Sequence, residues 1–222
     1  MPAIGHRPHR CAVALAAALL ALLGVGAGAA EGRPDSELWA LLDAREYQAL
    51  RERGPAVLDE LADLYRATPE PDERLKIANA FYVLGWKSEA AREAMLADTG
   101  TRHRDLRVQV QWALGRVSDD DRVVDYLFET LIRGDDLLFR DKAACALASD
   151  QIHLSDAQRV RLLARVIDLL ESPEPWLRWT AMRVLETQTG QRKGFLPKAP
   201  PAERAAAVAR WRAWLDEYRS QL

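Results

Sequence analysis

The sequence predicts an all-α fold: an α-solenoid of about four stacked helical hairpins, with capping helices at both ends. Three observations lead there. After residue 31 the apolar residues recur at intervals of three and four, as in Val160, Leu163, Ile167 and Leu170, and no stretch alternates as a strand would. Helix ends are well marked, by Gly54, Gly100, Gly134 and Gly190 and by Pro55, Pro69, Pro71, Pro173 and Pro175 at the joints. One helix pattern also returns four times at a near-constant spacing. The composition, 49% apolar and 29% charged over 222 residues, is that of a folded domain with a core of its own.

The first segment is an address. Residues 1–30 contain no acid, carry Arg7 and Arg10 ahead of an apolar run from Cys11 to Val25, and end in small residues that include Ala27 and Ala29. This is the layout of a secretory signal peptide, residues 1–29, cleaved near Ala29 or Ala30. An uncleaved anchor needs about 20 apolar residues, and the run reaches that length only through its Gly/Ala tail. The expected location is therefore periplasmic or secreted, with no membrane insertion after cleavage. Cleavage removes only Arg7 and Arg10 among the charges, which takes the net charge from −2 to −4. Cys11 leaves as well, so Cys145 has no partner for a disulfide within the chain. With 31 basic against 33 acidic residues, nothing points to nucleic acid.

Helices are expected at about 35–53, 56–67, 72–86, 88–98, 104–117, 119–133, 136–149, 156–171, 174–188 and 201–221. Ser155-x-x-Gln158 forms a capping box, and Asp119, Asp120 and Asp121 after Ser118 place acids on a positive helix end. Four of these helices share one pattern. It runs Arg74-x-x-Ile77-x-x-Ala80-Phe81, Arg107-x-x-Val110-x-x-Ala113-Leu114, Arg140-x-x-Ala143-x-x-Ala146-Leu147 and Arg178-x-x-Ala181-x-x-Val184-Leu185, with the arginines 33, 33 and 38 residues apart. The positions three and seven after Arg form one buried stripe. The small residue at position six lets a neighbouring helix come close.

This motif resembles the second helix of a HEAT repeat, in the variant also found in phycobilisome-lyase-type repeat proteins. The resemblance covers residues 55–190 as hairpins 55–87, 88–118, 119–151 and 155–190. The acid four before Arg is present as Glu70, Asp136 and Glu174, and His103 stands there in the second unit. The Trp, Gly and Tyr pattern of tetratricopeptide repeats is absent. The resemblance implies that Arg74, Arg107, Arg140 and Arg178 are structural, each pairing with a turn acid of its own or the next unit. It also implies that the second helices face a concave, partner-binding side. Carried over position by position, that side shows Lys76, Asn79, Gln109, Trp112, Lys142, Cys145 and Arg183.

The ends depart from the repeat. One period before Arg74 lies Leu41, where nothing fits, so residues 30–54 are expected to form an N-terminal capping helix. Residues 191–222 comprise an irregular loop and a last helix. On that helix Trp211, Trp214 and Tyr218 share one face, expected to cover helix 174–188 as the C-terminal cap.

Residues that could carry catalysis are sparse. His103 and His153 fall in different inter-helix segments, and there is no Gly-rich phosphate loop, His-Glu-x-x-His or Cys-x-x-Cys. Asp119–Asp121 and Asp135-Asp136 are better read as helix-start charge than as metal ligands. The expectation is an exported, non-catalytic scaffold that binds a protein or peptide partner, with no metal and no cofactor. One alternative is a small-molecule or glycan-binding module, with Trp112 and Phe195 as its exposed aromatics. Another is an accessory subunit or lyase-like enzyme, as the resemblance to repeat proteins that act on tetrapyrrole-bearing proteins suggests. The other tryptophans, Trp86 and Trp179 among them, are expected to pack between helices.

Overall fold

A computed structural model describes residues 35–148 and 153–222, so the expected signal peptide and cleavage site lie outside the described residues. The described chain is all-α, with eleven helices and no strand. They are α1 (Ser36–Ala44), α2 (Tyr47–Glu52), α3 (Val57–Ala67), α4 (Pro71–Leu84), α5 (Glu89–Leu96), α6 (Arg104–Val117), α7 (Asp121–Arg133), α8 (Leu137–Ala148), α9 (Asp156–Leu169), α10 (Pro175–Thr189) and α11 (Pro201–Ser220).

Local chemistry accounts for most of these boundaries. Pro71, Pro175 and Pro201 each open a helix at a position whose N–H has no helical acceptor in any case. Gly85 and Gly190 close α4 and α10 with φ of 66° and 69°, a left-handed conformation that costs glycine little. Ser155 and Gln158 make the reciprocal capping box at the start of α9. At α7 the cap is Asp120, whose carboxylate accepts from the Arg122 N–H at 2.8 Å, while the Ser118 hydroxyl accepts from Asp120 N–H. His103 caps α6 through Nδ1, which accepts from the Leu106 N–H.

The expected single helix over 35–53 is two helices. Arg45 takes φ 57°, and its N–H donates back to Leu41 and Leu42. No Gly or Pro announces that break, because the turn is held by packing: Leu38, Trp39, Leu42 and Leu50 are all buried. Both short helices pack on α4.

The core follows the columns of the repeated pattern. Ile77, Val110, Ala143 and Ala181 are buried, as are Ala80, Ala113, Ala146 and Val184, and Phe81, Leu114, Leu147 and Leu185. Helices α4, α6, α8 and α10 lie side by side in chain order, and each packs on the helix that precedes it. Gly115 marks one close approach: a Cβ there would come within 3.2 Å of Ala146 Cβ, so α6 and α8 meet over small residues. Ion pairs tie the other helices together, with Arg122 on Glu93, Arg161 on Asp121 and Arg165 on Asp125.

Helix α11 does not cover α10. It packs on α9, as α5 packs on α3, with Trp211 fully buried and Trp214 edge-on to it at 5.3 Å. The irregular stretch after Gly190 approaches α10 instead, where Arg178 donates to the Pro197 carbonyl. Phe195 is buried, so it is no exposed aromatic. The stretch from 191 to 200 bridges the two helices: Pro197 meets Arg178 of α10, and the Lys193 carbonyl accepts from Arg210 of α11.

Candidate functional site

The four repeat arginines occupy equivalent places but have different partners. Arg74 donates to the Thr68 carbonyl at 2.6 Å and pairs with Asp98 at 3.0 Å, which also accepts from the Tyr65 hydroxyl at 2.6 Å. Burial, with Asp98 close by, pushes the Tyr65 phenol far above its ordinary pKa. Arg107 pairs with Asp135 at 3.3 Å and lies over the Phe139 ring. Arg140 donates to the Leu131 carbonyl and to Glu174, both at 2.9 Å, and lies over Trp176. Arg178 meets no acid among the described residues. It donates to the carbonyls of Ser172, Pro173 and Pro197. Arg74, Arg140 and Arg178 thus each donate to a backbone carbonyl, whereas Arg107 meets only Asp135 and the Phe139 ring among the described residues, and its Nε is buried without a partner there.

Six of the seven residues expected to line the binding side fall into two clefts, and Lys142 lines neither. Lys76, Asn79 and Gln109 belong to the first, of about 470 Å³, between α1, α2, α4 and α6. Here Lys76 pairs with Asp43 at 2.6 Å and, outside the lining, with Glu73 at 3.2 Å, and Asn79 donates to the Tyr47 hydroxyl. The Asp43 contact leads the causes that raise the Lys76 pKa. Gln109 is 9% exposed, and its Nε2 has no partner. This cleft is polar and largely self-satisfied.

Trp112, Cys145 and Arg183 line the second cleft, of about 350 Å³, which crosses α4, α6, α8 and α10. Tyr82 and Trp112 form one wall, with ring centroids 5.8 Å apart. Three cations lie over three aromatic faces: Arg116 over Tyr82 at 5.2 Å, Lys142 over Trp112 at 5.4 Å and Arg183 over Trp179 at 4.8 Å. Gly85 makes room for the first of these, since a Cβ there would collide with the Arg116 guanidinium. Cys145 sits among them with its thiol pKa raised, first by burial and then by Asp141. A protonated thiol is a poor nucleophile.

Tyr82, Arg116 and Trp179 belong to this cleft but were not among the expected residues. Trp179 is not inter-helix packing: it is 48% exposed. One signal was available in the sequence. The position directly after the repeat arginine holds Leu75, Val108, Asp141 and Trp179, and a column that accepts Asp is not a core column. Trp179 also borders a third cleft, apolar and of about 700 Å³, with Trp176, Leu196, Pro197 and Pro200.

The two histidines are placed apart. His103 Nε2 is 3.0 Å from Asp72, and His153 Nε2 is 3.1 Å from the Gly85 carbonyl. Among the described residues no group of three or more His, Cys, Asp or Glu could hold a metal ion, and no helix is long and apolar enough to cross a membrane. Compared with protein families, curated proteins and solved structures, the chain finds no match.

Proposed function

We infer that the chain is an exported HEAT-like solenoid whose function is to bind a segment of a partner protein without catalysis. Its hairpins are α3–α4, α5–α6, α7–α8 and α9–α10, with α1–α2 and α11 as caps. Two things support the repeat: the recurring arginine pattern and the side-by-side order of α4, α6, α8 and α10. The signal-like layout of residues 1–30 supports export. One observation carries the binding reading. Tyr82, Trp112 and Trp179, from three of these four helices, border a single cleft, each with a cation over its ring. Partly exposed aromatics that keep few side-chain torsions are efficient binding anchors.

Random-peptide display against the full-length chain tests this reading. Selected peptides should lose at least about tenfold in affinity on Trp112→Ala or Trp179→Ala. Peptides indifferent to both substitutions would count against it. The size of the cleft favours a second reading, a small-molecule site, since such sites are commonly about 300–1,000 Å³. Native mass spectrometry of the purified protein would decide for it by showing a bound compound of low mass that Trp112→Ala abolishes.

A further inference from the structure

The cation–aromatic cleft and the apolar cleft share Trp179, and they differ in chemistry. In the first, Arg116 and Arg183 have aromatic rings as partners, and neither lies within ion-pair distance of a carboxylate among the described residues. Lys142, which lies over Trp112 outside the cleft lining, pairs with Asp141, the one acid on the cleft wall. Elsewhere Arg122, Arg140, Arg161, Arg165 and Arg212 meet carboxylates, whereas Arg51, Arg178 and Arg210 donate to backbone carbonyls. The Arg116 Nε is buried and has no hydrogen-bond partner among the described residues. The same holds for the hydroxyl of Thr180, a residue 5% exposed that also lines this cleft. The local charge is positive on a chain whose net charge is −2. In the apolar cleft Leu196 is exposed, and Trp176, Pro197 and Pro200 stand beside it.

We propose that these two clefts together take one extended segment of a partner protein, in which acidic side chains meet Arg116 and Arg183 and an adjacent apolar side chain rests on Trp179, Trp176 and Leu196. This rests on reading the cleft as a peptide-binding groove, and it names the peptide. A guanidinium stacked on an indole is already partly desolvated and pre-oriented, so a carboxylate gains more from it than from a free surface lysine. Three inter-helix steps of about 8–10 Å separate α4 from α10, which an extended chain covers in roughly eight residues. Nucleic acid fits worse, since its phosphates would run from three cations onto an apolar, proline-rich ledge.

Four labelled octapeptides, titrated by fluorescence anisotropy against the full-length chain, test this. One alternates glutamate with leucine; the others replace glutamate by glutamine, glutamate by lysine, or leucine by serine. An octamer of thymidylate serves as the anionic control. The glutamate–leucine peptide should bind at least about tenfold more tightly than the glutamine and lysine versions, and more weakly as salt rises. Arg183→Gln should weaken it about three- to tenfold and leave the glutamine version unchanged. Arg183 is exposed, so the fold should tolerate the exchange, and Arg183→Glu should shift preference toward the lysine peptide. Trp179→Ala should weaken the leucine peptide more than the serine one. Equal binding of the glutamate and glutamine peptides, both lost on Trp112→Ala, would overturn the acidic assignment and leave the groove standing. Tighter binding of the oligonucleotide would overturn the proposal, as would self-association of the chain that Arg183→Gln abolishes. No binding of any peptide at millimolar concentration would overturn the proposal and the groove reading alike.

Discussion

Arg140 on α8 reaches 34 positions along the chain to Glu174, the N-cap residue of α10, with Nη2 and Oε2 2.9 Å apart. Its Nε meanwhile donates to the Leu131 carbonyl at the end of α7, and the guanidinium lies over Trp176. One side chain thus joins a helix end, the start of a later helix and an aromatic ring. The fork geometry of arginine permits this, since its N–H donors point outward in one plane.

Arg140→Ala should therefore destabilise the fold by about 1–3 kcal/mol, because it strips a largely buried side chain from a carbonyl and a carboxylate at once. Arg140→Lys should recover only part of the loss, since an ammonium cannot make both hydrogen bonds while lying flat over the Trp176 ring. Urea unfolding followed by circular dichroism measures both; an unchanged midpoint for Arg140→Ala would deny the arginine a structural role.

Trp211 is fully buried between α11 and its neighbours, whereas Trp214 and Tyr218 stack on each other at 5.4 Å and stay partly exposed. Trp211→Ala should cost about 3–5 kcal/mol, and Trp214→Ala clearly less. Ending the chain after Pro200 should expose the apolar face of α9 and cause aggregation, which light scattering would record.

Acid should weaken the ties among α5, α7 and α9. Arg122 holds the Asp120 carboxyl down to about 2, Arg122 and Arg92 lower Glu93, and Gln158 and Arg161 lower Asp121. Each folded pKa lies below its unfolded value, so the stabilisation is present above about pH 4 and is lost as pH falls toward 2. Melting temperature should drop over that window, and Arg122→Gln should flatten the drop. Because these groups are exposed, the effect should be modest and should shrink in high salt.

The Cys145 thiol should alkylate more slowly at pH 7.5 than free cysteine, because burial and Asp141 hold it protonated. Asp141→Asn should lower its pKa and speed the reaction. Mass spectrometry of iodoacetamide adducts across pH would show the shift directly.

Intact mass of the exported protein should begin at Ala30 or Glu31, as the Ala27-x-Ala29 step implies. A species that still carries Met1 and fractionates with membrane would rule out cleavage.

What the sequence by itself determined is what depends on neighbours along the chain. Helical periodicity, the prolines that open α4, α10 and α11, the Ser155–Gln158 capping box and the buried columns from Ile77 to Leu185 are all contacts or spacings within a turn or two. Tertiary structure decided the rest. The break at Arg45 carries no local signal, since it exists to let α1 and α2 both bury their leucines on α4. The choice of α9 as the support for α11 is a long-range packing outcome, since residues 191–200 between them touch both α10 and α11. The candidate site shows the same division. Column counting found Trp112 and Arg183 but placed Lys76 and Asn79 beside them, and it left Trp179 in the core. A residue's position on its helix gives the direction of its side chain. Whether that direction meets a neighbour, a cleft or solvent is set by helices 30 and more residues away.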